Sequence, residues 1–167
     1  MASTAWENAA ICHARLFMKI INDGSSLIYN LPEVNLNHIK KLTTDFGIIQ
    51  FAKINQPDLD SGYTVDDNAR ALIAMCQHFE LTRDKADIPY IHIYVKFIEF
   101  CQQHDGSFLN YVNAEKKFTA QNYETNLADS NGRSIWALGY LISLRPLLPL
   151  QLTALANRIF EKALPHL

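Results

Sequence analysis

The sequence is poor in cysteine, in net charge and in long apolar runs, and each shortage excludes a class of protein. Cys12, Cys76 and Cys101 are the three cysteines of 167 residues. They sit inside apolar helical patterns with no close pairing. An odd, sparse set of this kind gives reduced thiols rather than a disulfide framework. No stretch approaches the roughly 18 apolar residues of a membrane span. The N-terminus, "MASTAWENAAICHARLF", lacks the basic start and apolar core of a secretory signal. These features predict a cytoplasmic protein. A net charge of −2 argues against a dedicated nucleic-acid binder, which carries a basic face.

Several motifs are also missing. No phosphate loop, dinucleotide fingerprint or nucleophile elbow occurs. "DFG" at 45–47 matches a kinase tripeptide by chance, because the catalytic loop and the strand lysine are absent. The six histidines show no metal-ligand spacing, and the loop holding Asp58, Asp60 and Ser61 lacks the alternating oxygens of a calcium loop. No metal and no cofactor are predicted.

What is present is ordinary globular composition, 49% apolar and 19% charged, enough for one domain over residues 1–167 with a sizeable core. Helical periodicity dominates. Trp6, Ala9, Ala10, His13, Leu16, Phe17, Ile20 and Ile21 mark a first helix, ended by Asp23-Gly24-Ser25-Ser26. A second starts with Pro32 in its first turn, and Leu36, Ile39 and Leu42 form its stripe. "DFGIIQFAK" (45–53) is short and β-rich. Thr64 and Asp67 then form a Thr-x-x-Asp capping arrangement for a third helix, 65–81. Further helices are expected at 88–101, with Ile91, Val95, Ile98 and Phe100 inward, at 128–143 and at 150–164. Alternating runs at 108–112 and 117–121 predict a small β-hairpin.

The main signal is a repeat. Asp66-Asp67-Asn68-Ala69-Arg70 lines up with Asp129-Ser130-Asn131-Gly132-Arg133 at an offset of 63 residues, and "DFGIIQFA" at 45 has a counterpart in "DGSFLNYV" at 105. Self-similarity at a long fixed period implies a stacked array of like units, here three helical hairpins. Two readings of the repeated entrance compete. As a structural device, the acids satisfy the helix N-terminus and the arginines pair with them three and four residues on. As a functional device, adjacent inner helices about 8–10 Å apart would hold acids at a spacing that overlaps the roughly 6.5–9.5 Å of inverting glycosidases. Tyr63, Tyr111, Tyr123 and Trp136 would then offer flat surfaces to sugar rings, and Gln50, Asn68, Arg70, Asn131 and Arg133 would donate to hydroxyls.

The stretches "GYTVDDNARALIAM" and "ADSNGRSIWALGYL", with "DFGIIQFAK", resemble a helical domain found in some bacterial proteins, often behind a nucleotide-sugar glycosyltransferase domain. That domain is similar to the six-hairpin (α/α)-toroid, glycosidase-like superfamily. The resemblance covers most of residues 1–165 and implies an all-α toroid of inner and outer helices that handles carbohydrate at the inner helix N-termini. Carried over, its polar rim is Asp45, Gln50, Tyr63, Asp66, Asp67, Arg70, Asp129, Asn131 and Arg133. The chain has room for about half of an (α/α)6 ring, so an exposed apolar edge and a homodimer are expected. If the domain hydrolyses, Asp67 and Asp129 are the expected acid/base pair, with Asp66 as the alternative. The implied partners are a glycan and an upstream glycosyltransferase domain. The rival is a non-catalytic scaffold or oligomerisation module whose Asp–Arg pairs are helix caps.

Overall fold

The computed structural model describes residues 6–22, 24 and 33–166. It is mostly helical, with six α-helices and two small antiparallel sheets among those residues. The chain divides into two compact units, residues 1–34 and 35–167. The first holds α1 (Trp6–Ile20). The expected helix is there, but its apolar stripe faces out: Trp6, Leu16, Phe17, Ile20 and Ile21 are all exposed. Of its expected terminator, only Gly24 lies within the described residues.

The second unit opens with α2 (Asn37–Leu42). This helix starts later than expected. Pro32 lies outside the described residues, and 33–36 are not helical. Asn35 Oδ1 accepts the Asn37 N–H at 2.9 Å, so a local side-chain turn sets the start instead. Then come β1 (Ala52–Lys53), β2 (Gln56–Pro57) and β3 (Tyr63–Thr64), followed by α3 (Val65–Thr82) and α4 (Ile88–Cys101). β4 (Tyr111–Val112), α5 (Ala128–Ser143) and α6 (Leu150–Ala163) complete the order. α3 to α6 match the expected helices to within a residue or two. Each of the four buries one face in a single core, where Leu72, Met75, Ile91, Val95, Ile98, Leu138, Leu141 and Ile159 are fully buried. Phe100 is an exception to the expected inward face. It is exposed at the margin of α4 and stacks on Phe118, ring centroids 5.2 Å apart.

α3 packs on α4 and on α5, and α5 packs on α6. Arg133 reaches Asp66 near one end of α3 and α5, while the Tyr140 hydroxyl donates to Glu80 at the other end. The two helices therefore run parallel. α4 and α6 also run parallel, tied near their C-terminal ends by Arg158 on Glu99. Two antiparallel hairpins, α3/α4 and α5/α6, thus stand side by side in the same sense, as a hairpin repeat requires. The expected β-hairpin is narrow. Val112 bridges Phe118, but β4 pairs mainly with β3, Tyr63 opposite Val112 and Thr64 opposite Tyr111. The reason is Asn122, whose Oδ1 accepts the Asn110 and Tyr111 N–H groups at 2.7 and 2.8 Å. A side chain takes the ladder positions that a longer return strand would have filled.

A buried ion cluster fixes α2 and the α3–α4 connection. The Asp87 carboxylate is fully buried, with Lys40 Nζ at 3.2 Å on one oxygen and His78 Nδ1 at 2.5 Å on the other. Burial pushes the Cys76 thiol up to about 12 and the Cys101 thiol well above its ordinary value. Both therefore stay protonated and shielded, whereas Cys12 is exposed. A thiol reagent is expected to modify Cys12 alone in the folded chain, with Cys76 and Cys101 reacting only in denaturant. Fast labelling of more than one thiol under native conditions would contradict this packing.

Candidate functional site

The repeated entrance is built from three devices. The first is the cap of α3. The Thr64 hydroxyl accepts the Asp67 N–H at 3.1 Å and donates to Asp67 Oδ2 at 2.6 Å. One hydroxyl thereby satisfies an orphan amide of the first turn and anchors an acid next to the positive end of the helix dipole. Thr64→Ala is expected to lower the unfolding free energy by about 1 kcal/mol, read from a denaturant titration. A change below ~0.3 kcal/mol would mean that water replaces the cap without loss.

The second device is an asparagine clamp, and it occurs twice. Asn68 is fully buried. Its Oδ1 accepts the Ile48 N–H at 3.0 Å and its Nδ2 donates to the Thr64 carbonyl at 2.8 Å. Asn131 does the same in the next unit. Its Oδ1 accepts the Phe108 N–H at 2.7 Å, and its Nδ2 donates to the Leu127 and Phe108 carbonyls, both at 2.9 Å. Each asparagine ties its own helix, four residues back, to an extended segment about twenty residues upstream. Those segments are themselves alike: Ile49 N–H bonds the Leu42 carbonyl at the end of α2, and Leu109 N–H bonds the Cys101 carbonyl at the end of α4. "DFG" finds its explanation here. A Cβ on Gly47 would come within 2.8 Å of Asn68 Oδ1, so glycine leaves the clamp room to close.

The third device is a chain of alternating charges across α3 and α5. Arg70 Nη2 lies 2.6 Å from Asp66 Oδ2 within α3, and Arg133 Nη2 lies 2.5 Å from Asp129 Oδ2 within α5. Arg133 Nε also forms an ion pair with Asp66 Oδ1; both atoms are buried from water, and neither makes a hydrogen bond. One guanidinium therefore holds the equivalent acids of both units. The hydrogen bond to Asp129 and the nearby Asp66 charge raise the Arg133 pKa further, against the opposing effect of burial.

The expected site residues separate under this geometry. Asp66 and Asp129 come together through Arg133. Asp67 does not join them; it is committed to Thr64, with Arg70 Nη1 at 3.9 Å. Asn68 is under the surface and Asn131 is half-buried, both engaged in backbone hydrogen bonds. Tyr63 is buried too, edge-on to Phe46 at 5.1 Å and tilted on Phe97 at 5.8 Å, so its ring belongs to the core. Tyr111 and Gln50 are half-buried, Gln50 donating its N–H to the Gly62 carbonyl. Asp45 is exposed beside Lys116 at 3.9 Å. Tyr123 and Trp136 are exposed.

Two residues that the motif did not single out prove structural: Asn110, which accepts the Asp66 N–H at 3.1 Å, and Asn122. Both side chains are buried, Asn110 in a loop and Asn122 in a short 3₁₀ turn. The sequence cue for them is weak: Asn110 lies between Leu109 and Tyr111, and Asn122 between Gln121 and Tyr123. Among the described residues no group of three metal-ligating side chains occurs, and no helix is long and apolar enough to cross a membrane. Compared with known proteins, the chain matches no family model and no characterised protein.

Proposed function

We propose that this chain is a non-catalytic helical-repeat module in which the Asp–Arg entrances staple one hairpin to the next. The observation that carries this reading is Arg133, which holds Asp66 of α3 and Asp129 of α5 at once. An acid/base pair for glycoside hydrolysis needs one carboxyl able to stay protonated and space between the two for water. Here a guanidinium fills that space.

The staple is testable by comparing its two arginines. Arg133→Met leaves buried Asp66 Oδ1 without its partner and is expected to cost about 1–2 kcal/mol. Arg70→Met removes an exposed arginine from Asp66 and Asp67 of its own helix and is expected to cost about 0.3 kcal/mol. Equal losses would argue against a staple between units.

Carbohydrate handling is the second reading, favoured by exposed Trp136 and Tyr123, which are suited to the apolar faces of sugar rings. In that reading the module binds glycan beside a glycosyltransferase domain of the parent protein. A glycan array, followed by Asp67→Asn, separates the two. Specific binding that the substitution weakens, or turnover that it abolishes, would favour the second reading. A loss of stability alone supports the staple.

A further inference from the structure

The tip of the β1–β2 hairpin breaks a local rule, and nothing within the chain accounts for it. Ala52 pairs with Pro57 and Lys53 with Gln56, which leaves Ile54 and Asn55 as a two-residue turn. Of these two only Ile54 has a positive φ, 61°. That is the pattern of a type II′ turn, whose first central position favours glycine. A β-branched residue there is a conformational outlier, and strain of this kind clusters where a ligand or partner is held. Packing does not explain the choice, because Ile54 is 101% exposed. Phe51 and Leu59, flanking the two strands, are each 59% exposed. The hairpin is nonetheless held firmly. Lys53 Nζ lies 3.0 Å from Asp58 Oδ1, the Asp58 N–H donates to the Phe51 carbonyl at 2.9 Å, and the Phe51 N–H donates to Ser61 Oγ at 3.1 Å. A rigid apolar finger therefore stands beside the start of α3.

The opposite end of the same unit holds an apolar cleft. α3 has 18 residues, so its ends lie about 27 Å apart, and α4 and α6 begin at the far end. Between their first turns is a cleft of about 460 Å³, walled by Ile88, Ile93, Pro149 and Leu152, with His92 and Gln151 as its polar lining side chains. It is wide enough for a branched side chain with room beside it. The free charges at the two ends are of opposite sign. Asp60, at the foot of the finger, is exposed and forms no ion pair among the described residues. Arg83, Lys85 and Arg145, at the cleft end, are likewise exposed and without an ion pair among those residues.

We infer that the chain associates head to tail, the Ile54 finger of one copy seating in the α4–α6 cleft of the next. Two observations select a second copy as the occupant. An apolar knob and an apolar socket stand at opposite ends of one unit, and the unpaired acid beside the knob is complementary to the unpaired cations at the socket end. Such a contact is heterologous, so it builds open chains or rings and not a two-fold dimer. It uses neither the Asp–Arg staple nor the outward face of α5, so its failure leaves the staple intact.

Sedimentation velocity of the full chain tests this, from about 10 μM to about 1 mM, a range suited to a small contact. The average mass is expected to grow past that of a dimer as concentration rises. Ile54→Gly removes the knob and relieves the turn, so it is expected to stay monomeric while its melting temperature holds or rises. His92→Glu sets a carboxylate in the cleft against the apolar tip, and it too is expected to stay monomeric. Mixed in equal amounts, the two variants are expected to form a dimer and stop there. One copy then supplies the only intact knob and the other the only intact cleft.

A wild-type chain that is monomeric across the whole range overturns the inference. So does association that persists in either variant, or a mixture of the two monomeric variants that stays monomeric. Pelleting of the monomer with phosphatidylcholine vesicles, lost in Ile54→Gly, would also overturn it by placing a lipid surface on the finger.

Discussion

Gly62→Ala is expected to lower the unfolding free energy by about 4 kcal/mol, the largest effect of any single substitution considered. Gly62 has φ 68° and ψ −148°, a region that residues with a Cβ avoid. The added carbon would also fall 2.3 Å from the Val112 carbonyl oxygen and 3.0 Å from Asn113 Cα, both backbone atoms that cannot turn aside. Strain at such a conformation costs on the order of 1–3 kcal/mol, and the overlap forces β3 away from β4 at a further ~1–3 kcal/mol. Because Thr64, at the end of β3, caps α3, the damage reaches the repeated entrance. Urea unfolding with an unchanged m-value measures it. A loss under ~1 kcal/mol would mean that the β3–β4 contact is looser than described.

Asn68→Ala is expected to cost about 3 kcal/mol. It strips the Ile48 N–H and the Thr64 carbonyl of a partner in a site that water does not reach, and each orphaned group costs about 1–3 kcal/mol. Asn131→Ala removes the same clamp from a half-buried position, where water can take over part of the bonding, so about 1–2 kcal/mol is expected. Asn68→Asp should be at least as damaging as alanine, since it keeps the acceptor, removes the donor to Thr64 and buries a charge. An alanine substitution that is neutral at both positions would remove the clamp from the account.

Much of the architecture was legible in the residues. The capping pattern of Thr64 and Asp67 placed the start of α3, and apolar spacing placed α4, α5 and α6. These are local rules, and the packing does not override them. The start of α2 was not legible, because Asn35 rather than Pro32 sets it through a side-chain hydrogen bond. The stripe on α1 had helical periodicity, yet periodicity identifies a face without saying what covers it, and that face is exposed.

The candidate site shows the same limit. The sequence marked Asp66, Asn68, Arg70 and their counterparts as a set but left their direction open. An asparagine one turn into a helix reads equally as a donor to a ligand or as a clamp on the chain's own backbone. What separates the two is long-range: the approach of Ile48 and Phe108, allowed in the first case by Gly47. Likewise Tyr63 looks like a surface aromatic until Phe46 and Phe97 close over it. The repeat was visible, and the staple within it was not, because Arg133 reaches across to the earlier unit as well as along its own helix.

The most direct test of the staple is a double-mutant cycle between Asp66 and Arg133, using Asp66→Asn and Arg133→Met singly and together in urea unfolding. The account predicts a coupling of about 1 kcal/mol or more in favour of the native pair, against less than ~0.5 kcal/mol for the exposed Asp129–Arg133 pair. Additive losses at Asp66 and Arg133, with no coupling, would contradict it and return the repeated acids to the search for a ligand.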